Sequence, residues 1–261
     1  MPRTAALPST SVRAKKKAPR RTGPGRPKAD AGAPALDGAR ILQAALALID
    51  AHGLAAFNIR ALAAALGVFP AAIYWHVPNR DALVAGAIGL ALDGVGRDLP
   101  EGNWQLRLRA VLVQFRDALR RHPQLAPAVA NQLAYNAAFD APLLDQVVAA
   151  LEDARFEGAA LTDAFNVVIA AMCGFATLEL STAPPGAPAE WEAACRARID
   201  SIDPLRHPHL GRRAAQLRNR AFLLRWSSGQ TQSLDSGFEA WIDVVLRGLA
   251  ARSRALRRRT A

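Results

Sequence analysis

The chain has 261 residues, of which 51% are apolar and 6% are aromatic, and its formal net charge is +11. This length allows one large or two modest domains with real cores, and a composition dominated by alanine and leucine favours helix over sheet. The two cysteines, Cys173 and Cys195, are too few for a disulfide framework, which excludes a disulfide-stapled secreted scaffold and fits a reducing cytoplasm.

The positive charge is concentrated at the N-terminus, where residues 1–28 contain nine lysines and arginines and no acidic residue. Such a stretch cannot bury a core, so residues 1–36 are predicted to be a disordered tail that binds polyanions. A tail that serves only solubility is the alternative. Residues 23–28 contain the Gly-Arg-Pro core of an AT-hook, although a plain electrostatic arm on phosphates is the favoured interpretation.

The sequence predicts neither a signal peptide nor a membrane span. The basic N-terminus lacks the apolar segment that a signal peptide carries behind its charges. The longest apolar run, residues 164–178, contains Asn166 and is shorter than the roughly 20 residues that cross a bilayer. A soluble protein is therefore expected.

Four helices are predicted in the first third of the chain. Each predicted start is either a polar residue that can accept a hydrogen bond from the first helical turn or a proline, which suits that turn. Glycines and a proline mark most of the ends. These helices run from the cap Asp37 to Gly53, from the cap Asn58 to Gly67, from Pro70 to about Val77, and from the cap Asn79 to Leu92.

A glycine-rich connection, residues 94–102, then marks a domain boundary. Apolar residues beyond it recur at the helical period, and no alternating segment requires a strand, so an all-α fold is predicted. The predicted units are a tail over 1–36, a small helical domain over 37–85, a larger one over 86–252 and a basic tail over 253–261. The helices of the larger domain are predicted over 104–121, 123–136, 141–155, 161–180, 188–200, 208–226 and 237–252.

Residues 66–83, LGVFPAAIYWHVPNRDAL, have the layout of a helix-turn-helix, in which the second helix enters the DNA major groove. Its small residues permit close approach to the bases, and Ile73 supplies an inward anchor. Tyr74 and His76 can reach phosphates, and Arg80 can neutralise another. The alternative, an ordinary amphipathic helix of a bundle, does not account for the glycine, prolines and asparagine that flank this helix.

Residues 39–85 resemble the DNA-binding domain of the tetracycline-repressor (TetR) family. The matching motifs are an opening helix that ends at Gly53, IR-x-LA-x-x-LGV over 59–68, IYWHV over 73–77 and NRDAL over 79–83. The resemblance implies a three-helix DNA-reading domain, an all-α ligand-binding and dimerisation domain behind it, and transcriptional repression that a small molecule relieves. An activator role remains open.

The resemblance also assigns DNA-contact positions. Arg60 falls where the family can place a base-reading arginine, and Asn58 and Ile59 fall where phosphates are met, with Ile59 using its backbone N–H. Because the start of the third helix is unusually apolar, methyl contacts to thymine would join Arg60 in discriminating the sequence. Trp75 is expected to pack in the core of the small domain. The base-facing positions are Phe69, Pro70, Ala71 and Ala72, and the backbone-contacting positions are Tyr74, His76 and Arg80.

A homodimer is predicted through residues 161–180 and 237–252. The first of these helices is apolar on two sides and has more surface to bury than one domain face needs. In the family, the corresponding helix and the last helix form a four-helix bundle with a second subunit. A two-fold dimer would read a palindromic operator in double-stranded DNA.

The resemblance implies a small-molecule effector, but not tetracycline with magnesium. The tetracycline repressors use a histidine beyond the position of His122 as a metal ligand, at a place that Val129 occupies here. An apolar pocket with no metal and no cofactor is therefore predicted, and its entry by ligand is expected to tilt the fourth helix about residues 94–96. The predicted contacts are Trp104, Phe115, Tyr135, Phe139 and Phe175, with Glu179 for a cationic or hydrogen-bonding ligand.

Two rival functions were weighed against this prediction. His207 and His209, with Cys195 nearby, could hold a catalytic metal, but histidines that flank a proline lack the spacing of a zinc site. No nucleophile elbow, phosphate loop or dinucleotide fingerprint is present, so an enzyme is disfavoured. The second rival is a ligand-independent DNA-binding protein whose pocket is vestigial.

Overall fold

Every regular element in the described part of the chain is helical, so the all-α prediction is confirmed. The computed structural model describes residues 36–134, 141–180, 189–225 and 232–260. A short 3-10 turn at Pro123–Leu125 precedes α6. The helices are α1 (Gly38–His52), α2 (Ile59–Leu66), α3 (Pro70–Tyr74), α4 (Arg80–Leu92), α5 (Trp104–Arg121), α6 (Ala126–Ala134), α7 (Ala141–Asp153), α8 (Gly158–Leu180), α9 (Ala189–Asp200), α10 (Pro208–Leu217) and α11 (Asp235–Thr260).

Side-chain caps fix where several helices begin. Carboxylate or amide oxygens of Asp37, Asn58 and Asn79 accept hydrogen bonds of 2.8, 2.9 and 2.8 Å from the backbone N–H three residues later. These bonds satisfy donors that the start of a helix leaves unpaired, so the three predicted caps are confirmed. Asn103 caps α5 in the same way, at 3.0 Å.

The first four helices share a core that fixes how α2 and α3 are presented. Ile41 of α1, Leu62 of α2 and Ile73 of α3 are fully buried in it. α4 packs against both α1 and α5, which accounts for the buried residues on several of its sides. The close approach of α1 to α4 depends on Gly86, because a Cβ atom there would lie 2.4 Å from a methyl carbon of Leu42.

α8 lies at the centre of the remaining helices and packs against α5, α6, α7 and α11. Its 23 residues are apolar enough to cross a membrane by length and composition alone, and it is the one such helix in the described residues. A single helix of this kind is weak support for a membrane span, because the core helix of a bundle has the same properties. Its packing against four other helices accounts for part of its apolar composition, since 33% of its most apolar 18-residue window is buried.

Several boundaries differ from the prediction, and α8 begins at Gly158, three residues earlier than expected. α3 ends at Tyr74 and α10 at Leu217, both earlier than expected. α11 continues to Thr260, through the region predicted as a basic tail over 253–261. The continuation is anchored because the Ser253 hydroxyl donates a 2.6 Å hydrogen bond to the carbonyl of Ala154. Of the predicted N-terminal tail, only Leu36 lies within the described residues, and it packs against the core.

Gly67, which ends α2, has a backbone conformation that other residues adopt only at a cost in stability. It has the left-handed φ of 67° and ψ of 30°, and an added Cβ atom would meet no neighbour within 4 Å. We expect Gly67→Ala to lower the free energy of unfolding by about 1–2 kcal/mol, the conformational cost alone. Gly67→Asn should lower it less, because asparagine tolerates this conformation. Urea denaturation of both variants measures the difference, and equal losses would contradict the explanation.

Candidate functional site

The turn between α2 and α3 holds the two helices in a fixed relation. The Gly67 N–H bonds to the carbonyls of Ala63 and Ala64, and the Val68 N–H donates a 3.0 Å bond to the carbonyl of Ala63. α3 then begins at Pro70, as predicted. With Ile73 buried beneath it, the helix presents its other residues away from the core.

The residues predicted to contact DNA mostly lie on this outward side. Phe69 is 80% exposed and Tyr74 51% exposed. Asn58, Arg60, Ala71 and His76 are also exposed, and Ile59, Pro70, Ala72 and Arg80 are half-buried. Both ends of the Asn58 amide are already used within the chain, since its nitrogen donates a 3.0 Å bond to the carbonyl of Ala56 and its oxygen caps α2. DNA contact by these residues stays a prediction.

Arg80 has a structural role that the sequence did not indicate. Its Nε donates a 3.0 Å hydrogen bond to the carbonyl of Phe57, and one terminal nitrogen donates a 2.8 Å bond to the carbonyl of Leu54. The guanidinium also lies 5.8 Å from the centroid of the Phe57 ring. Arg80 thus closes the loop between α1 and α2, and only the rest of its guanidinium is left for the predicted phosphate contact.

The expectation that Trp75 packs in the core is wrong, because its side chain is 88% exposed. α3 stops one residue before it, and the inward positions are taken by Ile73 and Val77. The Val77 N–H donates to the Ile73 carbonyl at 2.9 Å, which turns the chain inward again after the tryptophan.

Glu179, which is predicted to contact a ligand, pairs with Arg116 of α5. Two guanidinium nitrogens of Arg116 donate bonds of 2.7 and 2.5 Å to the two Glu179 oxygens, and both side chains are 6% exposed. A third nitrogen lies 2.8 Å from Asp235 of α11, and the guanidinium sits 4.2 Å from the centroid of the Phe238 ring. The sequence signal that could have identified this site is Arg116, an arginine on the apolar face of α5.

These contacts keep the Arg116 guanidinium charged. Burial alone would lower the pKa of Arg116, but the hydrogen bonds and charges of Glu179 and Asp235 outweigh it and raise that pKa. The pKa of Asp235 is lowered by a hydrogen bond with Ser233 and by Arg116 and Arg120. Its stabilising contribution is therefore present above its unfolded pKa and is lost as the pH falls through its folded pKa.

Three of the five predicted aromatic ligand contacts lie within the described residues, and ligand contact by them stays a prediction. Phe115 is buried in the core, and Phe175 packs against the rings of Phe222, Phe238 and Trp241 with centroids 5.1 to 5.4 Å apart. Trp104 is half-buried at the start of α5 and packs against the core. The remaining two predicted contacts, Tyr135 and Phe139, lie outside the described residues.

An apolar cleft of about 410 Å³ opens instead between α6 and α8. Sequence reasoning missed it because small residues, not aromatic ones, create its space. Burial raises the pKa of the Cys173 thiol in this cleft to about 11, so the thiol stays neutral at physiological pH. The lining residues are Ala130, Leu133, Ile169, Ala170, Cys173, Gly174, Thr177 and Leu178.

Two family models match the chain: "Bacterial regulatory proteins, tetR family" over residues 41–87, and "Tetracyclin repressor-like, C-terminal domain" over residues 97–253. The chain belongs to the TetR family. This confirms the family resemblance of its helix-turn-helix motifs.

Two curated relatives of this TetR-family protein are repressors. It is 35% identical over 92 residues to the HTH-type transcriptional repressor DrrR1 of Streptomyces coeruleorubidus. The matched region covers 33% of each chain. It is 30% identical over 127 residues to the HTH-type transcriptional repressor KstR of Rhodococcus jostii. This matched region covers 48% of the present chain and 59% of KstR. The chain thus spans about a third of DrrR1 and three fifths of KstR.

Among solved structures, apo ActR from Streptomyces coelicolor has the same fold. The TM-score is 0.65 at 20% identity, and the match covers 85% of this chain and 98% of ActR.

The TetR-family protein holds the predicted hinge, residues 94–96, by specific contacts. Gln114 of α5 accepts a 2.8 Å hydrogen bond from the Gly96 N–H and donates a 3.0 Å bond to the carbonyl of Arg97. A second link joins α1 to the end of α5, where His122 Nδ1 lies 2.8 Å from an Asp50 oxygen. Movement of α5 or the 3-10 turn would therefore reach α1 and α4 through these contacts.

Arg80→Lys separates the structural role of this residue from the predicted phosphate role. Lysine keeps the positive charge but cannot reproduce the two hydrogen bonds, so we expect the free energy of unfolding to fall by about 1–2 kcal/mol. Urea denaturation measures the loss. Unchanged stability, together with weaker and less salt-dependent binding to DNA, would instead favour the phosphate role.

Arg116→Met tests the buried pair. Removing one partner leaves the Glu179 carboxylate buried without its counter-ion, so we expect a loss of about 3–5 kcal/mol in the free energy of unfolding. The double variant Arg116→Met, Glu179→Leu should lose clearly less, because no buried charge is stranded. Arg109→Met is the matched control, since its ion pairs with α11 are partly exposed and should contribute about 1 kcal/mol or less. Denaturant titration compares the three, and equal losses in the single and double variants would contradict this role.

Proposed function

We propose that the protein is a homodimeric transcriptional repressor that binds a palindromic operator through α2 and α3 and is released by an uncharged, apolar small molecule. The observation that carries the proposal is the exposed set of side chains on α2 and α3, held by the Gly67 turn in a chain of the TetR family. A protein with this role acts in the cytoplasm, on double-stranded DNA, and catalyses no reaction.

The DNA-reading surface combines a polar and an apolar part. Arg60 on α2 is exposed and can donate two parallel hydrogen bonds to a guanine. Tyr74 and His76 lie at the far end of α3 and carry donors that suit phosphate oxygens. Phosphate contacts position the domain, and the contacts of Arg60 and the start of α3 read the bases.

Dimerisation is supported by the outer faces of α8 and α11. Phe238, Ile242 and Leu246 of α11 are buried against the body of the subunit, whereas Val244 on the other side is 70% exposed. On α8, Val167 is 50% exposed. Gly248 of α11, four residues beyond Val244, has open space where a Cβ atom would lie and would let two helices approach closely. A two-fold dimer through these faces would place two α3 helices on one side of the DNA.

The cleft between α6 and α8 supports an apolar effector. Its polar groups are few: the Thr177 hydroxyl, which donates a 3.4 Å bond to the carbonyl of Ala126, and the neutral Cys173 thiol. ActR, which shares the fold, has been solved in complex with actinorhodin. In the proposed mechanism, ligand in the cleft moves α6 and the 3-10 turn before it. The Asp50–His122 contact and the packing of α6 on α4 pass this movement to the DNA-reading helices.

Selection from randomised duplex DNA at two salt concentrations tests the proposal. We expect an enriched palindrome whose binding persists at the higher salt. Salt-sensitive binding with no enriched motif would contradict the proposal and assign the affinity to the basic N-terminal segment. With the operator known, uncharged apolar compounds can be screened for release, and a protein that no such compound releases would fit the vestigial-pocket alternative.

Val244→Arg tests the dimer. A charge on the proposed interface cannot be buried without a partner, so we expect a monomer by light scattering. Affinity for the palindrome should fall on the order of a hundredfold, because the second half-site is no longer held by the same molecule. Leu205→Arg is the matched control, since this leucine is 92% exposed in the connection between α9 and α10. A dimeric Val244→Arg protein with normal operator binding would exclude this interface.

A further inference from the structure

We propose that Phe69 reads the 5-methyl group of one thymine in each half of the operator. The inference rests on the proposed function, because it concerns how the same surface selects its DNA. It names one side chain and one chemical group on the base.

Phe69 occupies a position where helix stability favours a different residue. It directly precedes α3, and its side chain makes no capping hydrogen bond. The corresponding positions of α1, α2, α4 and α5 are aspartate or asparagine, and each of these side chains caps its helix. A phenylalanine forfeits such a bond, so the requirements of the helix do not explain its presence.

Nor do the requirements of the core explain it. Phe69 is 80% exposed, whereas the neighbouring Ile73 is fully buried and supplies the inward anchor of α3. Exposing an aromatic ring to water is unfavourable and is balanced when the ring is buried against a partner. Phe69 lies next to the turn that joins the two DNA-reading helices, so DNA is the partner this position would meet.

The chemistry of the adjacent residues determines which feature of DNA can be read. Pro70, Ala71 and Ala72 carry no side-chain donor or acceptor, so residues 69–72 offer base edges only apolar contact. In the major groove, the one apolar group among the four bases is the C5 methyl of thymine. Arg60 supplies the hydrogen-bonding contact separately. The surface therefore selects thymine next to a base that Arg60 reads.

The experiment uses full-length protein and the selected operator with each thymine replaced in turn by deoxyuracil, which removes only the methyl group. We expect one position in each half-site to be sensitive, with binding weakened roughly fourfold per half-site, the factor for burial of one methyl group. Phe69→Ala should bind the unmodified operator roughly tenfold more weakly per half-site and lose the response to deoxyuracil at that position. Phe69→Leu, which keeps an apolar side chain, should retain part of the response to deoxyuracil.

Leu205→Ala is the matched control, because it truncates an equally exposed apolar side chain away from α2 and α3 and should leave every affinity unchanged. A thermal melt by circular dichroism confirms that the Phe69 variants fold. A deoxyuracil effect that is equal in the wild type and Phe69→Ala, or absent at every thymine of an enriched palindrome, would overturn this inference alone. An enriched palindrome must exist for the proposed function to hold, so its absence would overturn both.

Discussion

The buried guanidinium of Arg116 is the interaction on which the arrangement of the larger helices depends. A charge removed from water has to be surrounded by partners, and here they come from two other helices: Glu179 of α8 and Asp235 of α11. The Phe238 ring covers the guanidinium. Sliding of α11 along α8 would break the Arg116–Asp235 contact and move the Phe238 ring off the guanidinium. These contacts therefore favour one arrangement of α5, α8 and α11, and α8 and α11 carry the outer faces proposed for the dimer.

The same helix that carries Arg116 also contacts α1 and the segment after α4, which support the helices proposed to read DNA. Gln114, two residues before Arg116, holds the segment after α4. His122 at its end meets Asp50 of α1. α5 therefore relates the body of the subunit to α2 and α3 through a few polar contacts, and α4 adds apolar packing against α1 and α5.

Features that depend on neighbours in sequence were predictable. The caps Asp37, Asn58 and Asn79 and the start of α3 at Pro70 follow from local chemistry, and the structure has them. Contacts between distant residues were not predictable in the same way. The exposure of Trp75 depends on where α3 ends, which its sequence neighbours do not determine. The pairing of Glu179 with Arg116 joins residues 63 positions apart, which local sequence does not reveal.

The apolar start of α3 also limits what the protein can distinguish. A side chain that recognises a methyl group at C5 of a pyrimidine recognises it on either pyrimidine that carries one, and 5-methylcytosine presents that group at the same place in the groove as thymine. A DNA methyltransferase acting on cytosine would thus add sites to the genome without altering its sequence. Access of such a reader to a promoter would depend on the modification state of the host chromosome as well as on its base order.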